Sequence, residues 1–387
     1  MKILAFLRHY PPPSDGGAYN YNSHVVEQLC ASGANVTVIT HKDAPRVISP
    51  SLTVIPLRSI KIGRFHYTTR AQQIFDIIAS ILNLRILLLK KKFDWIITDA
   101  GYIQNLIVFL GTFLTTYRII GISHSEEITI IQKTTNIRAR LQRWLLKKHT
   151  CNIVNAKRTG KILKKIGVKS EILLIYPCVE NLPALNKVIE RKKLIQIYSI
   201  KESDLIIGFL GRHVQRKGMR NLILAVQDLR RSGYEISLLI AGQGPESDNI
   251  QNFIRENDCQ AFCMMIGLLP EEEKASFLCG IDVFSMPNIS DPKTGDSEGF
   301  GIVFLEAAQQ GTAVIGGKDG GVPEAISDEF NGLIVDGQSY TSIKMAIKKY
   351  YQNPSLRLAH GENGKLWAKK FDWQDQVKPL VQFLVKN

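Results

Sequence analysis

The chain has 387 residues, 45% hydrophobic and 22% charged, with a formal net charge of +14. That length exceeds one ordinary core and suits two α/β domains, and the composition excludes a disordered chain. Residues 1–180 carry 25 Lys and Arg against 10 Asp and Glu, a net of +15, which leaves 24 against 25 for residues 181–387. An excess confined to the first half predicts an anionic partner for it: a membrane surface, a nucleic acid or an acidic polymer.

Lys2 to Leu7 reads as a buried strand. Its apolar run is too short for a secretion signal and is stopped by Arg8, His9 and Pro11 to Pro13, so the expected location is the cytoplasm. Ser14-Asp15-Gly16-Gly17 follows and opens a helix reaching Gly33. This is a substrate loop in outline, although a simple tight turn fits equally well. Strands at Asn35 to Thr40 and Leu52 to Leu57 continue a β-α-β pattern that argues for a parallel sheet.

Arg70 to Lys92 is a long apolar helix interrupted by Asp76, Asn83 and Arg85, which leaves no unbroken span for a transmembrane segment, and it ends in Lys90-Lys91-Lys92. Ile137 to Lys148 sets Ile137, Leu141, Trp144 and Leu145 among Arg and Lys. Both segments suit a membrane interface, and both also suit ordinary helices packed on a sheet. Strands at Trp95 to Thr98 and Arg118 to Ile122 flank a helix from Tyr102 to about Leu114. The second strand delivers His124 to the carboxyl edge of the sheet, where ligands bind in open α/β folds. Residues 1–180 form the expected first domain, and the polar stretch 181–204, with Pro183, reads as a linker.

A second alternation begins at Leu205 to Leu210, which delivers Gly211-Arg212 and then Lys217-Gly218, two cations suited to a diphosphate. Ile236 to Ala241 leads into Gly242-Gln243-Gly244, Phe262 to Gly267 is a further strand, and Val283 to Pro287 runs toward Asp291 to Gln310. There a polar, Gly-containing segment passes into an apolar helix at about Gly301. Glu298 stands at the lip and Glu306 about one and a half turns inside. The pattern reads as a seat for a nucleotide diphosphate carrying a sugar. Residues 205–370 form the second domain, and residues 371–387 are a separate helix after a break at Phe371. The six Cys lack zinc-site spacing and read as buried free thiols.

Taken in order, Gly16-Gly17, His124, Gly211-Arg212, Lys217-Gly218, Gly242-Gln243-Gly244, Glu298-Gly299-Phe300-Gly301 with Glu306, and Gly320-Gly321-Val322-Pro323-Glu324 resemble the retaining glycosyltransferases of the GT-B fold, group one, also called family 4. The resemblance implies two Rossmann-like domains facing across a cleft, with the C-terminal helix crossing back to the first. It implies that Glu298 lies beside the donor sugar hydroxyls and that Glu306 binds the ribose. Arg212, Lys217 and the amides of Gly299, Phe300 and Gly301 would hold the diphosphate, with Ile302 also in the donor site. Gly242 would adjoin this site, and Gly267 and Leu268 would contact the base. His124 and the Gly16-Gly17 loop would approach the sugar from the first domain.

Arg212, Lys217 and the helix end would stabilise the leaving group without a metal, and consistently no two Asp stand at Asp-x-Asp spacing, so no metal or other cofactor is expected. The implied activity is transfer of a hexose, UDP-glucose-type donors first, to a saccharide or lipid-linked saccharide in envelope polysaccharide or glycolipid synthesis. The implied place is the inner face of the cell membrane, held peripherally by the basic domain. A GDP-mannose-dependent lipid mannosyltransferase remains open, because Gly295 to Val303 is also similar to those enzymes. So does a sugar-nucleotide epimerase on the same scaffold. Nucleic acid is not an expected partner, since the basic segments lack interleaved aromatic residues and any helix-turn-helix signal.

Overall fold

The protein is described by a computed structural model over residues 1–8, 10, 17–40, 49–56, 70–99, 101–180, 182–291 and 295–387. The first part of the chain runs β1 (Lys2–Phe6), α1 (Gly17–Ala31), β2 (Asn35–Thr40), β3 (Leu52–Pro56), α2 (Arg70–Lys90), β4 (Trp95–Asp99), α3 (Tyr102–Gly111), β5 (Arg118–Ser123), α4 (Ser125–Lys133), α5 (Ile137–Leu146), β6 (Cys151–Val154), α6 (Lys157–Lys165) and β7 (Glu171–Leu174). Its strands form one parallel sheet in the order β3-β2-β1-β4-β5-β6-β7. Apolar runs such as Trp-Ile-Ile in β4 are buried throughout, the pattern of strands covered on both faces.

The chain continues through α7 (Lys187–Tyr198), β8 (Leu205–Leu210), a 3-10 turn (Gln215–Lys217), α8 (Met219–Arg231), β9 (Ile236–Ala241), α9 (Ser247–Glu256), β10 (Cys263–Gly267), α10 (Glu271–Gly280), β11 (Val283–Met286), α11 (Ile302–Gln309), β12 (Ala313–Gly317), α12 (Val322–Ala325), β13 (Gly332–Val335), α13 (Tyr340–Gln352) and α14 (Pro354–Ala368). These strands make a second parallel sheet, β10-β9-β8-β11-β12-β13. The last helix, α15 (Trp373–Lys386), belongs with the first sheet. One compact unit comprises Met1–Pro177 with Trp373–Asn387, and the other comprises Cys178–Asp372. Trp373 meets the rings of Tyr21 at 5.5 Å and His24 at 5.1 Å, and Phe383 lies 5.5 Å from Trp95.

Two expectations change. The stretch 181–204 is not a linker, because α7 occupies its centre and is built into the second unit. Asn186 caps this helix by accepting the amides of Val188 at 3.0 Å and Ile189 at 3.2 Å. Lys187 then donates to the carbonyl of Ile281 at 2.8 Å and to the Thr312 hydroxyl at 3.0 Å. Gly280 of α10 lets the two helices touch, since a Cβ there would fall 2.8 Å from the Glu190 carbonyl oxygen.

The second change concerns α2, which is long and apolar enough to cross a membrane by length and composition, Asp76 and Arg85 notwithstanding. One of its faces packs Leu84 and Leu88 on the core, with Ile77 and Ile81 partly buried against it. The other exposes Ile74, Phe75, Ile78, Leu82, Ile86 and Leu89. Apolar residues on both sides are the reverse of an ordinary surface helix. The cysteines are free thiols, five of them buried and Cys30 half-buried.

Candidate active site

In the second unit the strand order reverses between β8 and β11, so the carboxyl ends of these two neighbours frame a crevice of the kind that binds ligands. β8 runs directly into Gly211, and a Cβ built there would lie 3.9 Å from both the Lys217 ammonium and the Met286 sulfur at the end of β11. The 3-10 turn brings Lys217 back to this point and stops at Gly218, whose φ of +74° starts α8. A side chain at Gly218 is impossible without rearrangement, as its Cβ would sit 2.0 Å from the Pro287 carbonyl oxygen.

Lys217 meets Glu298 here, Nζ to Oε2 at 2.6 Å, and Arg216 reaches the same oxygen through Nη1 at 2.5 Å. The Arg216 Nε lies 3.2 Å from Asp296 Oδ2, which completes a cluster of two cations and two carboxylates. Burial alone would raise the Glu298 carboxyl, but Lys217 and then Arg216 outweigh it and hold Glu298 below the usual carboxylate range. Burial draws the Lys217 ammonium below its ordinary value, with Glu298 opposing. Glu298 is thus a secured anion, and Lys217 is a desolvated cation ready for a stronger anionic partner.

The backbone beyond Glu298 enters α11 through Gly301, at φ +85°. First-turn amides of a helix have no intrahelical acceptor and favour an anion, and Ile302 opens that first turn. The Phe300 side chain is buried, 5.6 Å from the ring of Phe371, so this part of the predicted cradle is also an anchor in the core. Under the loop, the Gly321 amide donates to the Glu298 carbonyl at 3.0 Å. Glu306 on α11 pairs with Lys274 of α10 at 2.8 Å. Burial raises the Glu306 carboxyl, with Lys274 opposing.

Arg212 is exposed, and the ion pairs of the cluster go through Arg216 instead. The Gly242 amide donates to the Gly267 carbonyl at 2.7 Å, joining two predicted loop positions, and Leu268 next to them is exposed. Three residues escaped sequence reasoning in this unit. Arg216 carries no motif of its own, and Asp296 lies inside the Gly295–Val303 run with no role assigned to it. His213 is buried, faces the Ser247 hydroxyl at 3.0 Å, and uses its carbonyl to accept the Glu246 amide at 3.0 Å, which pins the Gly242–Gly244 loop to the Arg212 loop.

In the first unit the order reverses between β1 and β4. His124 caps α4 at the end of β5, with Nε2 3.1 Å from Asn22 Oδ1 and its ring edge-on to Tyr21 at 5.4 Å. Desolvation pushes its pKa down to about 4, so the imidazole is neutral at physiological pH. A neutral ring that donates to Asn22 Oδ1 carries its proton on Nε2. Asp99, which sequence reasoning passed over, ends β4 as a buried carboxyl that accepts the Arg8 amide at 3.0 Å. Burial pushes it up to about 6. Gly17 opens α1, and Gly16 lies outside the described residues. Among the described residues no group of three or more His, Cys, Asp or Glu is placed to hold a metal ion.

Residues 190–367 match the family model of the glycosyl transferases group 1. That stretch belongs to this glycosyl transferase family. The glycosyl transferase region lies wholly inside the second unit and contains Arg216, Lys217, Glu298 and Glu306. A GDP-mannose-dependent alpha-(1-6)-phosphatidylinositol monomannoside mannosyltransferase from Mycolicibacterium smegmatis is 31% identical over 195 residues, covering 50% of this chain and 51% of that protein. A D-inositol 3-phosphate glycosyltransferase from Corynebacterium jeikeium is 30% identical over 182 residues, covering 45% and 42%. The chain spans about half the length of the curated relatives it matches. Among solved structures, sucrose-phosphate synthase from Thermosynechococcus elongatus superposes with a TM-score of 0.81 at 21% identity, covering 100% of this chain and 99% of that one. HepE from Anabaena in complex with UDP-glucose gives 0.76 at 16% identity, with both chains fully covered. The glycosyl transferase region and the first unit together have the GT-B fold.

Proposed function

We propose that this protein is a retaining glycosyltransferase that moves a hexose from a nucleotide diphosphate sugar to a saccharide or lipid-linked saccharide without a metal. The observation that carries this reading is the Lys217–Glu298 pair at the crevice between β8 and β11, beside the first turn of α11. Cleavage of the anomeric C–O bond leaves its electron pair on the diphosphate, so neutralising that charge is the main catalytic task. Lys217, Arg212 and the amides at the start of α11 supply positive charge for it. Glu298 holds sugar hydroxyls, Glu306 the ribose, and the Gly267–Leu268 turn the base. The acceptor hydroxyl bonds to the anomeric carbon on the departing face, and its proton passes to a leaving-group oxygen.

A UDP-glucose-type donor is the first reading. GDP-mannose is the second, favoured by the name of the Mycolicibacterium smegmatis relative. The basic first half and the exposed apolar face of α2 support a peripheral place on the inner membrane face. The test is thermal shift with a panel of UDP- and GDP-sugars, followed by transfer assays in EDTA on wild type, Lys217→Ala and Glu298→Ala. One nucleotide sugar is expected to raise the melting temperature, and both substitutions to abolish transfer without unfolding. Wild-type turnover in either variant, or strict metal dependence, would overturn the reading.

A further inference from the structure

Glu298 Oε2 is shared by two cations that differ in freedom. Lys217 presents a compact ammonium on a flexible stem, and burial already weakens its hold on the proton. Arg216 is tied at both ends. Its Nε faces Asp296 Oδ2 at 3.2 Å, its Nη1 faces Glu298 at 2.5 Å, and its carbonyl accepts the Ile289 amide at 2.8 Å just beyond β11. A diphosphate arriving at the crevice offers more negative charge than one carboxylate, so it competes for the ammonium, which pairs with Glu298 alone among the described carboxylates, before the fork, which is tied to two.

Resting on the donor site proposed above, we infer that Arg216 is a positioning residue, holding Glu298 oriented and ionised toward the donor sugar once the diphosphate has drawn Lys217 away. Without Arg216, Glu298 would lose the guanidinium that it shares with Asp296, a like-charge neighbour that favours protonation or rotation of the carboxylate. Asp291 adds negative charge behind Asp296, and among the described residues Lys217 is the other cation paired with Glu298. The guanidinium therefore serves the sugar half of the donor and Lys217 the phosphate half.

The test compares two probes on wild type, Arg216→Gln and Arg216→Lys by calorimetry: the free nucleoside diphosphate and the intact nucleotide sugar that stabilises the wild type. Arg216→Gln is expected to keep nucleoside diphosphate affinity and to lose at least about tenfold for the nucleotide sugar. Its kcat should fall about 10²-fold, and the acidic limb of its kcat profile should move to higher pH, since the cation that lowers the Glu298 pKa is gone. Arg216→Lys should restore part of each effect. Equal losses for both probes would make Arg216 a phosphate ligand, and no loss would make it a bystander; either overturns the inference. A wild type that binds neither probe would instead overturn the donor site itself.

Discussion

Lys274 of α10 and Glu306 of α11 form an ion pair at 2.8 Å, in which Lys274 is also shared with Glu271. Burial raises the Glu306 carboxyl and Lys274 is what restrains it, so Lys274→Met should raise it further. Nucleotide affinity should then decline more steeply in the variant as pH falls. Stability at neutral pH should drop by about 1–3 kcal/mol, the cost of leaving one partner of a partly buried pair unsatisfied. Urea unfolding checks this, and Lys274→Met with Glu306→Gln should recover much of the loss.

Gly320 sits at φ +77°, and a Cβ there would lie 2.2 Å from the Glu298 carbonyl oxygen. Gly320→Ala should cost about 1–2 kcal/mol of backbone strain and also push Glu298 out of place. Transfer should fall about 10²-fold, the scale of an ångström of misplacement. Gly233→Ala is the control, at φ +86° with nothing within 4 Å of its Cβ, and should show the strain alone. Melting curves and kcat measured together separate the two effects.

His149 is buried with Nδ1 2.9 Å from Asn152 Oδ1 and Nε2 2.8 Å from Asn105 Oδ1, and burial pushes its pKa down to about 4. The unfolded chain takes up a proton near pH 6.5 that the folded chain refuses, so stability is full above that pH and declines as pH falls toward 4. His124 acts in the same direction, while the raised Asp99 acts in the opposite one. His149→Gln should therefore flatten the wild-type profile by about 2 kcal/mol between pH 6.5 and 4.5, read by urea unfolding. Parallel profiles would remove His149 from the account.

Lys90, Lys91 and Lys92 are exposed at the end of the exposed apolar face of α2. Replacing all three by Glu should weaken binding to vesicles containing anionic phospholipid by at least about 1 kcal/mol per charge, an effect that high salt erases. Ile78→Ser with Leu82→Ser should weaken it regardless of salt. Vesicle co-sedimentation measures both.

Much of the fold was legible because buried parallel strands are unbroken apolar runs: β2, β8 and β9 begin and end where sequence reasoning put them. α7 was not, because its charged positions look like a solvated linker. Only the structure shows Lys187 reaching the carbonyl of Ile281 and the Thr312 hydroxyl, more than ninety positions away. The α3 helix stops at Gly111, short of Leu114, which takes a φ of +66° that no propensity would assign to Leu. In the site, Lys217 and Glu298 stood in motifs. Arg216 did not, and Asp296 had no role within its run, since their meeting depends on how a loop folds back across some eighty residues.

α15 buries Trp373, Val377, Leu380, Phe383 and Leu384 in the unit that also contains Met1–Pro177. On a ribosome the whole of Cys178–Asp372 is made between those two pieces, which takes about 10–40 s at ~5–20 residues per second. The first unit therefore emerges early and waits with an uncovered apolar face, while the second can close its own core meanwhile. Birth order and completion order are reversed in this protein, and the half made first is the one exposed to chaperones and proteases until the last helix arrives.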